Sequence, residues 1–156
     1  MRIKIIQIGK EKDRGLVDMA AEFEKRIKPY AKLEIVTLKD IKKTKTMTRE
    51  ICVREEGVRV LKEIKLSDYV MILDEKGKHY TSQEFSKFIE TKKDSGQTLV
   101  FVIGGPLGIG KELLERGNQT FSMSKMTFTH LMIRPFLLEQ IYRGICIMLG
   151  KEYHID

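Results

Sequence analysis

Short β-branched runs alternate along the whole chain with longer stretches of helical periodicity, and this alternation restricts the possible folds more than any other feature. Ile3 to Ile8 reads as a strand, Leu16 to Ile27 as a helix halted by Pro29, and Leu33 to Leu38 as a second strand. A basic loop follows, then a helix from about Thr48 to Lys65 with Ile51, Val58, Leu61 and Ile64 near helical spacing. Tyr69 to Leu73 is predicted as a buried strand, followed by a turn through Asp74 to Gly77 and a helix opened by the capping-box sequence Thr81-Ser82-Gln83-Glu84. That helix should end by Gly96. Thr98 to Ile103 is the next strand; it runs into a glycine-rich segment, a short helix from Lys111 and a short strand around Thr120 to Met123. Leu137, Ile141, Ile145 and Met148 mark a last helix over Ile133 to Leu149, stopped by Gly150. Repeated βα units imply an α/β fold with a mostly parallel sheet covered by helices on both faces, in which ligands bind beyond the carboxyl ends of the strands.

A chain of 156 residues suits a single domain over 1–156. Twenty-nine Lys and Arg against 22 Asp and Glu give a formal charge of +7, which favours a polyanionic partner such as nucleic acid, although net charge serves solubility as well. Cys52 and Cys146 are far apart and form no C-x-x-C pair, so neither a disulfide framework nor a zinc site is indicated, and both are expected to be buried thiols. The apolar run at the amino terminus is too short for a signal peptide and no stretch of 18 apolar residues occurs, so a cytoplasmic protein without a membrane partner is expected.

The glycine-rich turn after Thr98 to Ile103, Gly104-Gly105-Pro106-Leu107-Gly108-Ile109-Gly110, has the context of a ligand loop, because glycine lets the backbone approach a ligand closely. A glycine cluster alone serves equally as a structural turn. Gly105 to Lys111 also matches the first seven positions of a phosphate-binding P-loop, but position 112 is Glu where a hydroxyl should bind Mg²⁺. The segment Phe121 to His130 combines hydroxyl, apolar and thioether side chains that could cradle an adenosine, with Met126 and Phe128 as walls; a plain buried crossover is the blander alternative. Glu139 and Arg143 share a helix face, either as a structural ion pair or with Arg143 and Arg134 turned to phosphate or base. Tyr153 and His154 in the tail could stack on a base and assist proton transfer, while His79 and His130 lack a second ligand at metal spacing and suit ordinary hydrogen bonding. Lys39, Lys42, Lys43, Lys45 and Arg49 form a basic run able to meet RNA phosphates or simply to face solvent.

Taken together, Leu73-Asp74 with Gly77, Phe101 to Gly108, Ser124 to Thr127 with His130, Glu139 to Arg143, and Tyr153-His154 closely resemble the bacterial ribosomal RNA pseudouridine N3-methyltransferases of the knotted SPOUT superfamily. The resemblance covers essentially the whole chain. It implies a Rossmann-like α/β fold whose carboxyl-terminal part is threaded into a trefoil knot, working as a homodimer on 23S rRNA in assembled ribosomes. It also implies S-adenosylmethionine (SAM) bound by Leu73, Gly104, Gly105, Met123, Ser124, Lys125, Met126, Thr127 and Phe128, with no metal. Arg143, Tyr153 and His154 would face the RNA; His154, as the titratable group among them, is then the candidate proton acceptor. Two rival classes are a P-loop NTPase and a non-enzymatic RNA- or ribosome-binding protein.

Overall fold

A computed structural model describes residues 1–42, 44 and 46–153. The elements follow the order β1 (Arg2–Ile8), α1 (Arg14–Ile27), β2 (Lys32–Leu38), α2 (Arg49–Lys62), β3 (Tyr69–Lys78), α3 (Ser82–Asp94), β4 (Thr98–Ile103), α4 (Lys111–Arg116), β5 (Gln119–Phe121) and α5 (Ile133–Met148). The five strands pair in parallel in the order β2-β1-β4-β3-β5. Parallel strands need crossovers, and the helices between them cover both faces of the sheet.

Alternation along each strand sorts the side chains into two cores. Ile3, Ile5, Met71, Leu99 and Phe101 face α1, α3 and α5 together with Ile27, Phe85, Ile89, Leu137 and Ile141. Ile6, Ile8, Val70, Ile72, Val100 and Val102 face the other way, against Val60 of α2 and Leu113 of α4. β4 is buried along most of its length, as expected of a central parallel strand covered on both sides. Helices α3 and α5 approach closely at Gly144, where a Cβ would lie 2.8 Å from Ile89 Cδ1, and the Ser86 hydroxyl donates to the Gly144 carbonyl at 2.8 Å. Both cysteines are free and buried.

Two sequence expectations change. The predicted turn at Asp74 to Gly77 is instead part of β3, which continues to Lys78 with a register break against β5 between Leu73 and Lys78. The Lys76 N–H donates to Asp74 Oδ1 at 2.8 Å, so the turn chemistry is present but is spent on a bulge within the strand. Gly77 is the residue that permits it: a Cβ there would lie 2.5 to 2.8 Å from backbone atoms of Phe121. Arg134, one candidate for a surface contact with RNA, is only 4% exposed. Its Nη2 donates to the carbonyls of Ile8 at 2.6 Å and Gly9 at 2.9 Å, fastening the start of α5 to the end of β1. The capping box at Thr81 and Glu84 is formed as expected.

Candidate active site

The carboxyl ends of β3, β4 and β5 lie side by side, and the segments that leave them enclose a cavity of about 860 Å³. Leu73, Asp74 and Glu75 line it from β3, the glycine loop from Gly104 to Ile109 follows β4, and the residues after Phe121 close the third side. Such a volume is that of a site for a cofactor-sized organic molecule. The apolar walls come from Leu73, Ile103, Ile109, Phe121 and Met123, with the hydroxyls of Ser122, Ser124 and Thr127 among them.

The walls are built by local chemistry. A Cβ on Gly104 would meet Ile109 Cγ1 at 2.7 Å, so only glycine lets the loop fold back on itself there. Gly108 has φ +97° and its N–H donates to the Gly105 carbonyl at 3.1 Å, making a tight turn that an L side chain would strain. Arg49, at the start of α2, donates from Nε to the Leu107 carbonyl at 2.9 Å and contributes to the cavity wall. On the opposite side the Ser122 hydroxyl donates to the Ser124 carbonyl at 2.7 Å, and the Met126 N–H donates to Ser124 Oγ at 2.9 Å. Thr127 Oγ1 donates to Glu75 Oε2 at 2.7 Å, joining the wall after β5 to the wall after β3. Phe128 packs edge-on against Phe136 with centroids 5.5 Å apart.

Of the residues expected to bind SAM, Leu73, Gly104, Gly105, Met123, Ser124, Met126, Thr127 and Phe128 line this single cavity. Lys125 belongs to the same segment but is absent from the wall. Residues that sequence reasoning missed include Glu75 and above all Arg49, which the sequence presents only as part of a basic run. The rule that ligands sit beyond strand ends would have pointed to Glu75. Nothing local marks Arg49, because its partner is Leu107, 58 residues away.

His130 also lines the cavity, and among the described residues neither of its ring nitrogens makes a hydrogen bond, contrary to the expectation of ordinary hydrogen bonding. Burial and the neighbouring Arg134 guanidinium hold its pKa below the usual histidine value, against the opposing pull of Glu11 and Asp40.

Arg143 and Tyr153 stand elsewhere. Arg143 donates from Nε to Glu139 Oε1 at 3.0 Å, and the Tyr153 hydroxyl donates to the same oxygen at 3.1 Å. The guanidinium lies over the Tyr153 ring at 4.8 Å, and Tyr142 meets that ring edge-on and joins the cluster. Burial, and then the Glu139 charge, raise the Tyr153 pKa. Ile133 is the first residue of α5 and lines the cavity, whereas Arg143 is ten residues further along, about 15 Å at 1.5 Å per residue. Neither Arg143 nor Tyr153 lines the cavity of its own chain, and His154 lies outside the described residues.

As a P-loop the glycine loop fits poorly. Lys111, which would have to reach the phosphates, is 85% exposed and pairs with Glu115 at 3.6 Å, and the helix it begins has six residues.

A family model described as "Predicted SPOUT methyltransferase" matches residues 1–154. The chain belongs to the SPOUT methyltransferase family. Among SPOUT relatives, "Ribosomal RNA large subunit methyltransferase H" of Carboxydothermus hydrogenoformans is 42% identical over 158 aligned positions, covering 99% of each chain. Proteins of the same name from Enterococcus faecalis and Christiangramia forsetii are 42% and 38% identical over 99% of each chain. The Rossmann-like parallel sheet expected from the sequence is therefore the scaffold of a SPOUT methyltransferase, and the cavity occupies the end of the sheet where such scaffolds bind ligands.

Proposed function

We propose that this chain transfers the methyl group of SAM to N3 of a pseudouridine in 23S ribosomal RNA, acting as a homodimer on assembled ribosomes in the cytoplasm. The carrying observation is the convergence of Leu73, the glycine loop and the segment after Phe121 on one cavity, in a chain matched end to end by large-subunit rRNA methyltransferases. Its mixed walls fit SAM. Leu73, Ile109 and Met123 offer apolar surface to an adenine ring, and backbone and hydroxyl groups of Ser122, Ser124 and Thr127 offer polar partners to its edge and ribose. When bound, SAM supplies a methyl carbon made electrophilic by its sulfonium. The chain's own task is to hold the target ring against that carbon, exclude water and receive the N3 proton.

The separation of Arg143 and Tyr153 from the cavity supports a composite site, in which a second copy of the chain brings its α5 tail, with His154, to the first copy's cofactor. The guanidinium would steady negative charge developing on the ring carbonyls, and Tyr153 would stack on a base. From the family resemblance we also infer the threaded carboxyl-terminal path; α5 follows the edge strand β5 and returns to pack on α1 and α3, which suits it. The charge of +7 accords with an RNA partner.

Isothermal titration with SAM, in parallel with ATP and Mg²⁺, tests the reading without the ribosome. Saturable SAM binding and no heat from ATP are expected. ATP binding that disappears in Lys111→Ala would replace it with an NTPase, and RNA binding without SAM affinity would leave a non-enzymatic ribosome-binding protein.

A further inference from the structure

Methylating N3 requires that an imide proton leave, and an imidazole with no hydrogen-bond partner among the described residues stands in the cofactor cavity's own wall. We propose that His130 is the proton acceptor of the reaction, contributed by the same chain that holds SAM; the inference rests on the methyltransferase reading above.

Position carries the assignment. His130 lies just ahead of α5 and lines the cavity together with Gly104 and Ser124. It also marks the cavity's border with the basic segment. A Cβ on Gly9 would meet His130 Nε2 at 3.8 Å, Asp40 Cβ at 3.9 Å and Arg134 Nη2 at 4.0 Å, so the imidazole sits above the end of β1, beside the loop that begins with Lys39 and Asp40. RNA drawn to Lys39, Lys42 and Arg49 reaches the cavity across this border. A base entering from that side would meet the cavity with His130 at its flank.

The surroundings fit the chemistry. Since no described residue hydrogen-bonds either ring nitrogen, a lone pair of the neutral ring is available to the substrate. The charged groups facing it are Arg134 from α5, Glu11 from the loop after β1 and Asp40 from the loop after β2. Burial and then Arg134 favour the neutral ring, against the pull of the two carboxylates toward the imidazolium. In the step itself, N3 gives its proton to the imidazole and its electron pair to the methyl carbon. The carbon–sulfur bond breaks with its electrons passing to sulfur, leaving N3-methylpseudouridine, neutral S-adenosylhomocysteine and a protonated His130 that discharges to water.

The test compares wild type, His130→Asn and His154→Asn in single-turnover methylation of ribosomes across pH, with SAM affinity and thermal midpoint measured for each. Wild-type rate should fall as pH drops through the His130 pKa, placing the acid limb below the ordinary histidine value of 6.5. His130→Asn should keep SAM affinity and midpoint, lose on the order of 10² in rate at neutral pH, lose the acid limb, and recover as rising pH ionises the imide unaided. An acid limb that survives in His130→Asn and vanishes in His154→Asn overturns the assignment in favour of the tail. Equal loss of SAM affinity and rate in His130→Asn overturns it too, making His130 part of the cofactor seat. Wild type that binds no SAM sinks the methyltransferase reading, and this inference with it.

Discussion

Arg134 illustrates how one residue can be misjudged from its type. An arginine in a basic, RNA-directed chain invites a phosphate, yet this one is buried and holds the Ile8 and Gly9 carbonyls in place beneath the cavity wall. Arg134→Met preserves the length of the side chain and removes both donors. It should lower the urea midpoint by the equivalent of about 1–3 kcal/mol while leaving the salt dependence of ribosome binding unchanged. A shallower salt slope with unaltered stability would return Arg134 to the RNA. The residues legible from sequence were those whose role is local: the glycines of the loop, the hydroxyl and thioether run after Phe121, the cap at Thr81. Arg49 and Arg134 act through carbonyls 58 and more than 120 residues away, and no local pattern announces such a partner.

At the scale of elements, the strands and helices were legible from short apolar runs, helical spacing and their caps and breakers, although α2 buries Cys52, Glu56 and Val60 rather than the expected Val58, which is exposed. The exception is the far end of β3, where Asp74-Glu75-Lys76-Gly77 has turn composition and yet remains in the strand. Its pairing depends on contact with Phe121, which the local sequence does not encode. Gly77→Ala therefore makes a pointed test of the β3–β5 edge. The added carbon collides with rigid backbone, so the two strands must part, and thermal unfolding should report a loss of about 1–3 kcal/mol together with weakened SAM binding. A variant as stable as wild type would mean that the bulge relaxes freely. Helix α5 poses the opposite case: its pattern was clear, and only its length revealed that the cavity and the Arg143 cluster belong to different ends.

For the whole molecule, the composite reading makes a prediction that no single chain can meet. Arg143→Ala and Gly104→Val each disable a different half of the site, the second by crowding Ile109. Mixed and allowed to exchange, the two inactive proteins form heterodimers in which both defects fall on one site and the other is intact. Methylation should return to about one quarter of the wild-type level in a random equal mixture. If Arg143 served its own chain's cavity, every site would carry a defect and the mixture would stay inactive.

The cavity draws its walls from Arg49 through Ile133, so it comes into being late in synthesis. A nascent chain leaving the ribosome lacks this cavity until β5 has found β3 and the start of α5 has been anchored to β1. Were SAM to bind in this cavity, as proposed, it would distinguish finished molecules from partial ones. At a concentration one hundred times its dissociation constant, it would add about 2.7 kcal/mol to the completed fold and nothing to any fragment that stops short of it. In a cell, the supply of methyl donor would act as a proofreader of its own enzyme, sparing whole chains from proteolysis and leaving truncated ones exposed.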